Sequence, residues 1–340
     1  MDIREKRKLD HIKETLNSYD VYKDYFKDIS LIPMSASTSN LENIDLKVSL
    51  FGKTLNAPIL INAMTGGALG LEKYNQAFAR AAKENKIAMA VGSQKAGILN
   101  KKMIKTYSIV RKINPEGLIF ANLSALENVE DMKEAIYMIE ADALQLHINH
   151  GQELSMLEGD RDFTSLLRNI EKAVRELEVP IIVKEVGSGI SQESAKIFSD
   201  IGVKNFDAGG FGGTNFSLIE EKRKRNTPEL LSNIGIPTPI SILEIKKTLP
   251  SSLVFASGGI RNSSQIVKTL VIGGDISGIA AYFLKIFTDF DDKKLSLEIT
   301  RIIEEMKKIF VVLGFQNLED AKKGKYILKN EIKEWVDQRI

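Results

Sequence analysis

Residues 253–281 read LVFASGGIRNSSQIVKTLVIGGDISGIAA, and this stretch decides the fold. Residues 253–259 form an apolar run that ends in small residues, 264–272 carry apolar positions at helical spacing, and 274–281 are apolar again. A buried run, an amphipathic helix and a second buried run make a βαβ unit. Six runs of the same kind precede it: 57–64 (APILINAM), 86–92 (KIAMAVG), 117–124 (GLIFANLS), 143–149 (ALQLHIN), 180–186 (PIIVKEV) and 204–210 (KNFDAGG). Near-continuous hydrophobicity marks a parallel strand covered on both faces. Amphipathic stretches at 71–84, 128–140, 163–177, 191–201 and 242–248 lie between them. The pattern predicts an α/β fold, a (β/α)8 TIM barrel. A doubly wound open sheet is the rival, but no dinucleotide-type glycine fingerprint follows the first run and eight is the strand number of the barrel.

Outward from the barrel, residues 1–56 read as an N-terminal helical extension, 57–284 as the barrel and 285–340 as two or three closing C-terminal helices, all in one domain (1–340). Residues 1–28 read as one charged helix with Ser18 the place for a break. The widest gap between runs, 211–239, is long enough for a lid on the catalytic face. The chain has 340 residues, enough to bury a large core, with 47 Lys+Arg against 45 Asp+Glu. A net charge of +2 gives no long-range attraction to nucleic acid or a membrane surface. No Cys is present, which excludes disulfides, thiol nucleophiles, Cys-ligated zinc and iron–sulfur clusters. The charged start, MDIREKRK, leads into no apolar signal region, and no stretch approaches the roughly 18 apolar residues of a spanning helix. The expectation is a soluble cytoplasmic protein.

Barrel active sites lie at the C-terminal strand ends. Those ends carry Met64-Thr65-Gly66-Gly67, Ser93-Gln94-Lys95, Asn122, then His147, Asn149, Gln152 and Glu153. Next come Lys184, Gly209-Gly210 leading to Gly212-Gly213-Thr214, Ser257-Gly258-Gly259-Ile260-Arg261 and Ala280-Ala281. Packing alone does not ask for this density of hydrogen-bonding side chains and glycines. The Ser257–Arg261 segment runs into a helix, so glycine backbone and unpaired helix N–H groups offer a phosphate site. A tight turn is the plainer reading of Gly-Gly, and the position after strand seven favours phosphate.

Lys184 sits inside an apolar strand, where an unpaired charge is costly. A salt bridge to Glu185 is the simple explanation, but neighbours on a strand face opposite ways. Lys184 is therefore read as reaching toward an anionic group at the barrel mouth, such as the N1–C2=O edge of a reduced flavin. Glu153 fits a hard-cation ligand completed by diphosphate oxygens, or simply a carboxylate at a helix start. Asn149 and Gln152 are neutral amides suited to a polar ligand. His147 and His150 could ligate metal, yet three His in all make a dedicated zinc site a poor reading. Glu158-Gly159-Asp160-Arg161-Asp162-Phe163 reads as a structural turn and helix start. The charged segment 222–225 reads as a solvated face, as does the Arg4, Lys6, Arg7, Lys8 cluster taken alone.

Ala63-Met64-Thr65-Gly66-Gly67, Val91-Gly92-Ser93-Gln94, His147-x-Asn149-x-x-Gln152-Glu153, the 158–163 segment, Lys184-Glu185-Val186-Gly187, Gly212-Gly213-Thr214 and Ser257-Gly258-Gly259-Ile260-Arg261 follow in this order. Together they resemble the type 2 isopentenyl-diphosphate delta-isomerases, from Arg7 to about Leu284. The His-x-Asn-x-x-Gln-Glu segment is the most discriminating; the glycine motifs are shared with other FMN barrels.

The resemblance implies a cytoplasmic FMN barrel enzyme that interconverts isopentenyl and dimethylallyl diphosphate. It implies Mg2+, reduced flavin with NADPH as reductant, no net redox change, and a homo-oligomer (tetramer or octamer). It places Ala63, Met64, Thr65, Ser93, Asn122, Lys184, Thr214, Gly259, Ile260, Arg261, Ala280 and Ala281 at FMN. It places Arg7, Lys8, Ser93, Gln94, Lys95, Asn149 and Gln152 at the substrate, with Arg7 and Lys8 in this or a neighbouring subunit's site. Glu153 is implied as the Mg2+ ligand, with Gln152, Glu153 and His147 catalytic and His11 close by. Two positions depart from the family pattern: Lys95 stands where many members carry Arg, and Ile234 where the family has Trp before Gly-Ile-Pro-Thr. The enzymatic rival is an FMN-dependent α-hydroxyacid oxidase or dehydrogenase, which wants a His base and Arg clamps; the other is a non-catalytic flavin- or phosphate-binding protein.

Overall fold

Eight parallel strands close into a barrel: β1 (Ile59–Ile61), β2 (Ala88–Ala90), β3 (Ile119–Ser124), β4 (Ala143–Ile148), β5 (Ile181–Glu185), β6 (Asn205–Asp207), β7 (Leu253–Ser257) and β8 (Ile276–Ile279). The computed structural model describes residues 3–17, 19, 23–156, 158–223 and 230–340. The strands follow one another in chain order around the ring. Pairing of Ser277, Gly278 and Ile279 with Ile59, Leu60 and Ile61 closes it and excludes the open sheet. Each strand lies inside one of the eight apolar runs.

Period-two alternation sorts each strand's side chains between two cores. Ile59, Ile61, Ile119, Leu144, Val183 and Val254 face the surrounding helices. Leu60, Phe120, Ile182, Phe255 and Ile276 fill the lower barrel interior. Two residues further along the same strands, the inward positions turn polar: Asn62, Asn122, Lys184 and Ser257, joined by Gln145 and Asp207, are all buried. The barrel is thus apolar below and hydrogen-bonded above.

A hairpin of Val48–Leu50 and Lys53–Leu55 closes the lower end. Its turn puts Phe51 at φ +48° and Gly52 at +79°, a mirror-image turn suited to hairpins. The Phe51 ring meets Phe120 at 5.9 Å and Phe255 at 6.4 Å between centroids, so it stoppers the apolar interior. Reading residues 1–56 as a helical extension overlooked this hairpin, although Phe51-Gly52 between alternating residues was its signal.

The helices start where capping residues direct. Asn128, Ser191 and Asn262 each accept a main-chain N–H from the first turn of Val129–Ile139, Gln192–Asp200 and Ser263–Val271. Thr238–Thr248 begins four residues before the expected 242, with Pro239 in its first turn. The expected helix over 1–28 is instead Ile3–Asn17, a short 3-10 turn at Tyr25–Asp28 and a strand Ile29–Leu31; Ser18 lies outside the described residues. That strand pairs antiparallel with Tyr326–Leu328, which ties the two ends of the chain together. After β8 come helices Ala281–Asp289, Asp292–Leu313, Leu318–Lys322 and Asn330–Arg339. Among the described residues no helix is long and apolar enough to cross a membrane.

Candidate active site at the barrel mouth

The polar upper layer is one hydrogen-bonded assembly. Lys184 and Asp207 sit opposite each other in the β5–β6 register, and Lys184 Nζ lies 2.9 Å from Asp207 Oδ2. Lys184 also donates to Ser257 Oγ at 3.3 Å, and the Ser257 hydroxyl donates to Asp207. The ion-pair partner of the buried lysine is therefore Asp207; Glu185 offers it only a main-chain carbonyl, at 3.3 Å. Glu185, on the opposite face, accepts from the N–H groups of Ser188 (2.5 Å) and Gly189 (3.2 Å), and burial pushes its carboxyl up to about 8. Asn62 donates to Asp207 at 2.8 Å, Gln145 donates to Asn62 at 3.0 Å, and Asn122 donates to Gln145 at 3.1 Å. His147 Nδ1 lies 3.0 Å from Asn122 Oδ1. Burial, then the charges of Lys8 and Lys184, hold the His147 ring down to about 4, only partly offset by the Leu123 carbonyl.

Two adjoining cavities lie above this layer. One, of about 80 Å3, is walled by Ala63, Met64, Lys184, Thr214, Gly258–Arg261, Ala280 and Ala281. Gly258 (φ +111°) and Gly259 (φ +79°) take backbone conformations that L side chains rarely adopt, and a Cβ on Gly258 would stand 2.3 Å from the Gly210 carbonyl. The wall is thus bare backbone. Helix Ala281–Asp289 starts at the same place, and its N-cap residue, Ala280, makes no side-chain cap. Free N–H groups at a helix start beside a glycine wall suit a phosphate. Arg261 lines this cavity while its guanidinium donates to the Tyr19 carbonyl at 2.7 Å; its own N–H is taken by Gln265 at 2.7 Å.

The second cavity, of about 390 Å3, is lined by Lys8, Ser93, Lys95, Asn122, His147, Asn149, Gln152 and Glu153, and shares Ala63, Met64 and Lys184 with the first. Asn149 caps helix His150–Ser155 by accepting the Gln152 N–H, and its amide donates to Gln152 Oε1 at 2.7 Å. This fixes the spacing of the Asn-x-x-Gln-Glu segment. Glu153 Oε2 accepts from the Asp160 N–H at 2.9 Å, and Glu158 and Asp160 also line the cavity. The 158–163 segment therefore also borders the cavity: Arg161 ties it to the carbonyls of Glu153 and Met156, with Glu158 and Asp160 in the cavity lining. Among the described residues no three His, Asp or Glu form a ready metal cage. Glu153 with phosphate oxygens and water fits a Mg2+ ion, which seldom takes an all-protein cage.

The roof is made by two helices. Lys8, on Ile3–Asn17, donates to the Ser93 carbonyl of its own barrel at 2.9 Å. His11 lies 2.5 Å from Glu220 and 5.3 Å, centroid to centroid, from Phe216, both on helix Phe216–Arg223. The expected lid over 211–239 is thus joined by the N-terminal helix; its residues 224–229 lie outside the described ones.

Most of the expected site residues line these two cavities; Gln94 and Thr65 do not. Gln94 is wholly buried away from the cavities, donating to the Ala135 carbonyl at 2.8 Å and accepting the Asn122 N–H at 3.0 Å. Thr65 turns toward helix Glu72–Asn85 and donates to Asn75 at 2.6 Å. Lys95 is held on the rim by Glu127, whose carboxyl burial pushes up. The Arg7 side chain lies outside the described part of its helix. The sequence reading missed Asn62, Gln145 and Asp207; a carboxylate in the middle of run 204–210, two residues along from a strand start, was the available signal.

Comparison with known proteins agrees with this geometry. A family model described as FMN-dependent dehydrogenase matches residues 9–103. An isopentenyl-diphosphate delta-isomerase of Bacillus pumilus is 38% identical over 338 residues, 99% of this chain and 95% of the relative. Its counterpart in Listeria monocytogenes is 40% identical, over 98% of this chain and 94% of the relative.

The chain belongs to the isopentenyl-diphosphate delta-isomerase family.

Family similarity therefore covers the N-terminal helix and the closing helices as well as the barrel. A solved mandelate oxidase variant with a monooxide FMN adduct superposes with a TM-score of 0.67, covering 94% of this chain and 92% of its own. At 12% identity it shares the barrel and carries no argument about the reaction.

Proposed function

We propose that this isomerase-family chain interconverts isopentenyl and dimethylallyl diphosphate, with FMN on the glycine-walled cavity and the substrate under the helical roof. One observation carries the reading: the larger cavity joins Lys8, two neutral amides, the acidic Glu153 and a neutral His147 beside a bare-backbone phosphate cradle. Lys8 and a Mg2+ ion at Glu153 would hold the diphosphate. Asn149 fixes Gln152, which would face the alkene end. Lys184, Thr214, Ile260 and Ala281 would hold the flavin. When bound and reduced, that group supplies an electron-rich face and a proton site. Moving a double bond requires one proton gained and another lost, and water would trap any cationic substrate species. Helices Ile3–Asn17 and Phe216–Arg223 would exclude it. Magnesium, NADPH as reductant, a homo-oligomeric state and a cytoplasmic setting belong to the same reading; their support is the family resemblance.

The test is anaerobic incubation of FMN-loaded, reduced protein with isopentenyl diphosphate and Mg2+, with product followed by NMR. Dimethylallyl diphosphate should form, and the oxidised form kept free of reductant should be inactive. Equal rates in both forms would overturn the proposal, and hydroxyacid-dependent peroxide would support an oxidase. Against an oxidase stands His147, whose ring, held down to about 4, is a poor base.

A further inference from the structure

Three buried amides link Asp207 to His147, and their hydrogen bonds all run one way. Asp207 is wholly buried and paired with the Lys184 ammonium, so its carboxylate only accepts. Asn62 must turn its Nδ2 toward it, at 2.8 Å. The main-chain N–H of Ala63, 2.8 Å from Asn62 Oδ1, fixes the same orientation independently. Gln145 must then present Nε2 to Asn62 Oδ1, which leaves its Oε1 to accept from Asn122 Nδ2. What Asn122 has left is Oδ1, an acceptor, and it faces His147 Nδ1 at 3.0 Å.

We infer that Asp207, acting through Asn62, Gln145 and Asn122, sets the tautomer of His147, placing the proton on Nδ1 and leaving Nε2 as the acceptor of a ring that lines the larger cavity. The ring does not take a second proton at neutral pH, because burial and the charges of Lys8 and Lys184 oppose it. His147 then serves the site by accepting a hydrogen bond or ligating a cation, and does not deliver the proton to the alkene. Asp207, Asn62 and Gln145 are positioning residues. Gln145 is fully buried and lines neither cavity, so it is the link that can be changed without touching a bound molecule.

The inference rests on the isomerase reading for what Nε2 meets, while the tautomer itself is read without turnover. The experiment is 15N NMR of the FMN-loaded enzyme labelled at histidine; three His keep the spectrum simple, and His147→Gln assigns the signal. At neutral pH, His147 should show a protonated Nδ1 and an unprotonated Nε2. Gln145→Met removes the link, and the two nitrogen signals should move toward each other as the tautomers mix. Gln145→Glu, kept neutral by burial beside the Asp207 carboxylate, turns its O–H to Asn62 Oδ1 and its other oxygen to Asn122 Nδ2, and should restore the wild-type pattern. A proton on Nε2 in the wild type, an unchanged spectrum in Gln145→Met, or loss of the pattern in Gln145→Glu would each overturn the inference. If Gln145→Met does not fold, the wild type and Gln145→Glu decide. A protein with the Nδ1–H tautomer and no isomerase activity would retain this inference and remove the reading it deepens.

Discussion

Lys184 and Asp207 hold each other in a space that admits little water: their side chains are 8% and 0% exposed. Removing one partner of such a pair leaves the other charge stranded, at a cost of about 3–5 kcal/mol. Asp207→Ala should therefore lower the unfolding free energy by roughly that amount in urea titrations. His147 gives a pH dependence. Its ring is held at about 4 when folded against 6.5 as its ordinary value, so the unfolded chain takes the proton first as pH falls. Its contribution to stability is complete above 6.5 and is lost as pH falls toward about 4, below which the curve flattens. Denaturation midpoints measured across that window should fall less steeply in His147→Gln than in the wild type. At this scale the sequence exposed Lys184, because a charge inside PIIVKEV violates the apolar pattern. Its partner escaped notice because partnership depends on the register of two strands, which no single run contains.

Helix Ile3–Asn17 puts Lys8 over the larger cavity of its own barrel. A charge-assisted contact contributes about 1.5–3 kcal/mol, so Lys8→Met should raise KM for the diphosphate roughly 10- to 100-fold with little effect on FMN content. The turn after β7 offers a second check. Gly258 lies at φ +111°, with Gly210 O at 2.3 Å and Thr238 Oγ1 at 2.5 Å from where a Cβ would stand. Gly258→Val should therefore strain the cradle and lower both Tm and the flavin bound per chain, read from its absorbance. The strand and helix positions were legible because burial on both faces and helical spacing of apolar residues are local signals. The Phe51-Gly52 turn carried a local signal that went unread, whereas the pairing of Ile29–Leu31 with Tyr326–Leu328 had none, since two segments so far apart in the chain meet only once the barrel has formed.

For the whole molecule, closure of β8 on β1 brings residues from 8 to 282 around two adjoining cavities. Isomerisation returns every electron, so one reduction of bound FMN should support many turnovers. NADPH oxidised and product formed, measured together without oxygen, should differ widely; equal amounts would contradict redox-neutral chemistry. The sequence by itself determined the barrel, the positions of its polar strand ends and the family to which these motifs belong. Those are carried by short-range patterns of burial and by side-chain order along the chain. The tertiary structure alone decided which of those side chains meet. It turned Gln94 and Thr65 away from the site, gave Lys95 to Glu127 and Lys184 to Asp207, and folded the N-terminal helix onto its own barrel. The physical reason is that a strand residue's neighbours across the barrel are set by register and closure, and these are properties of all eight strands together.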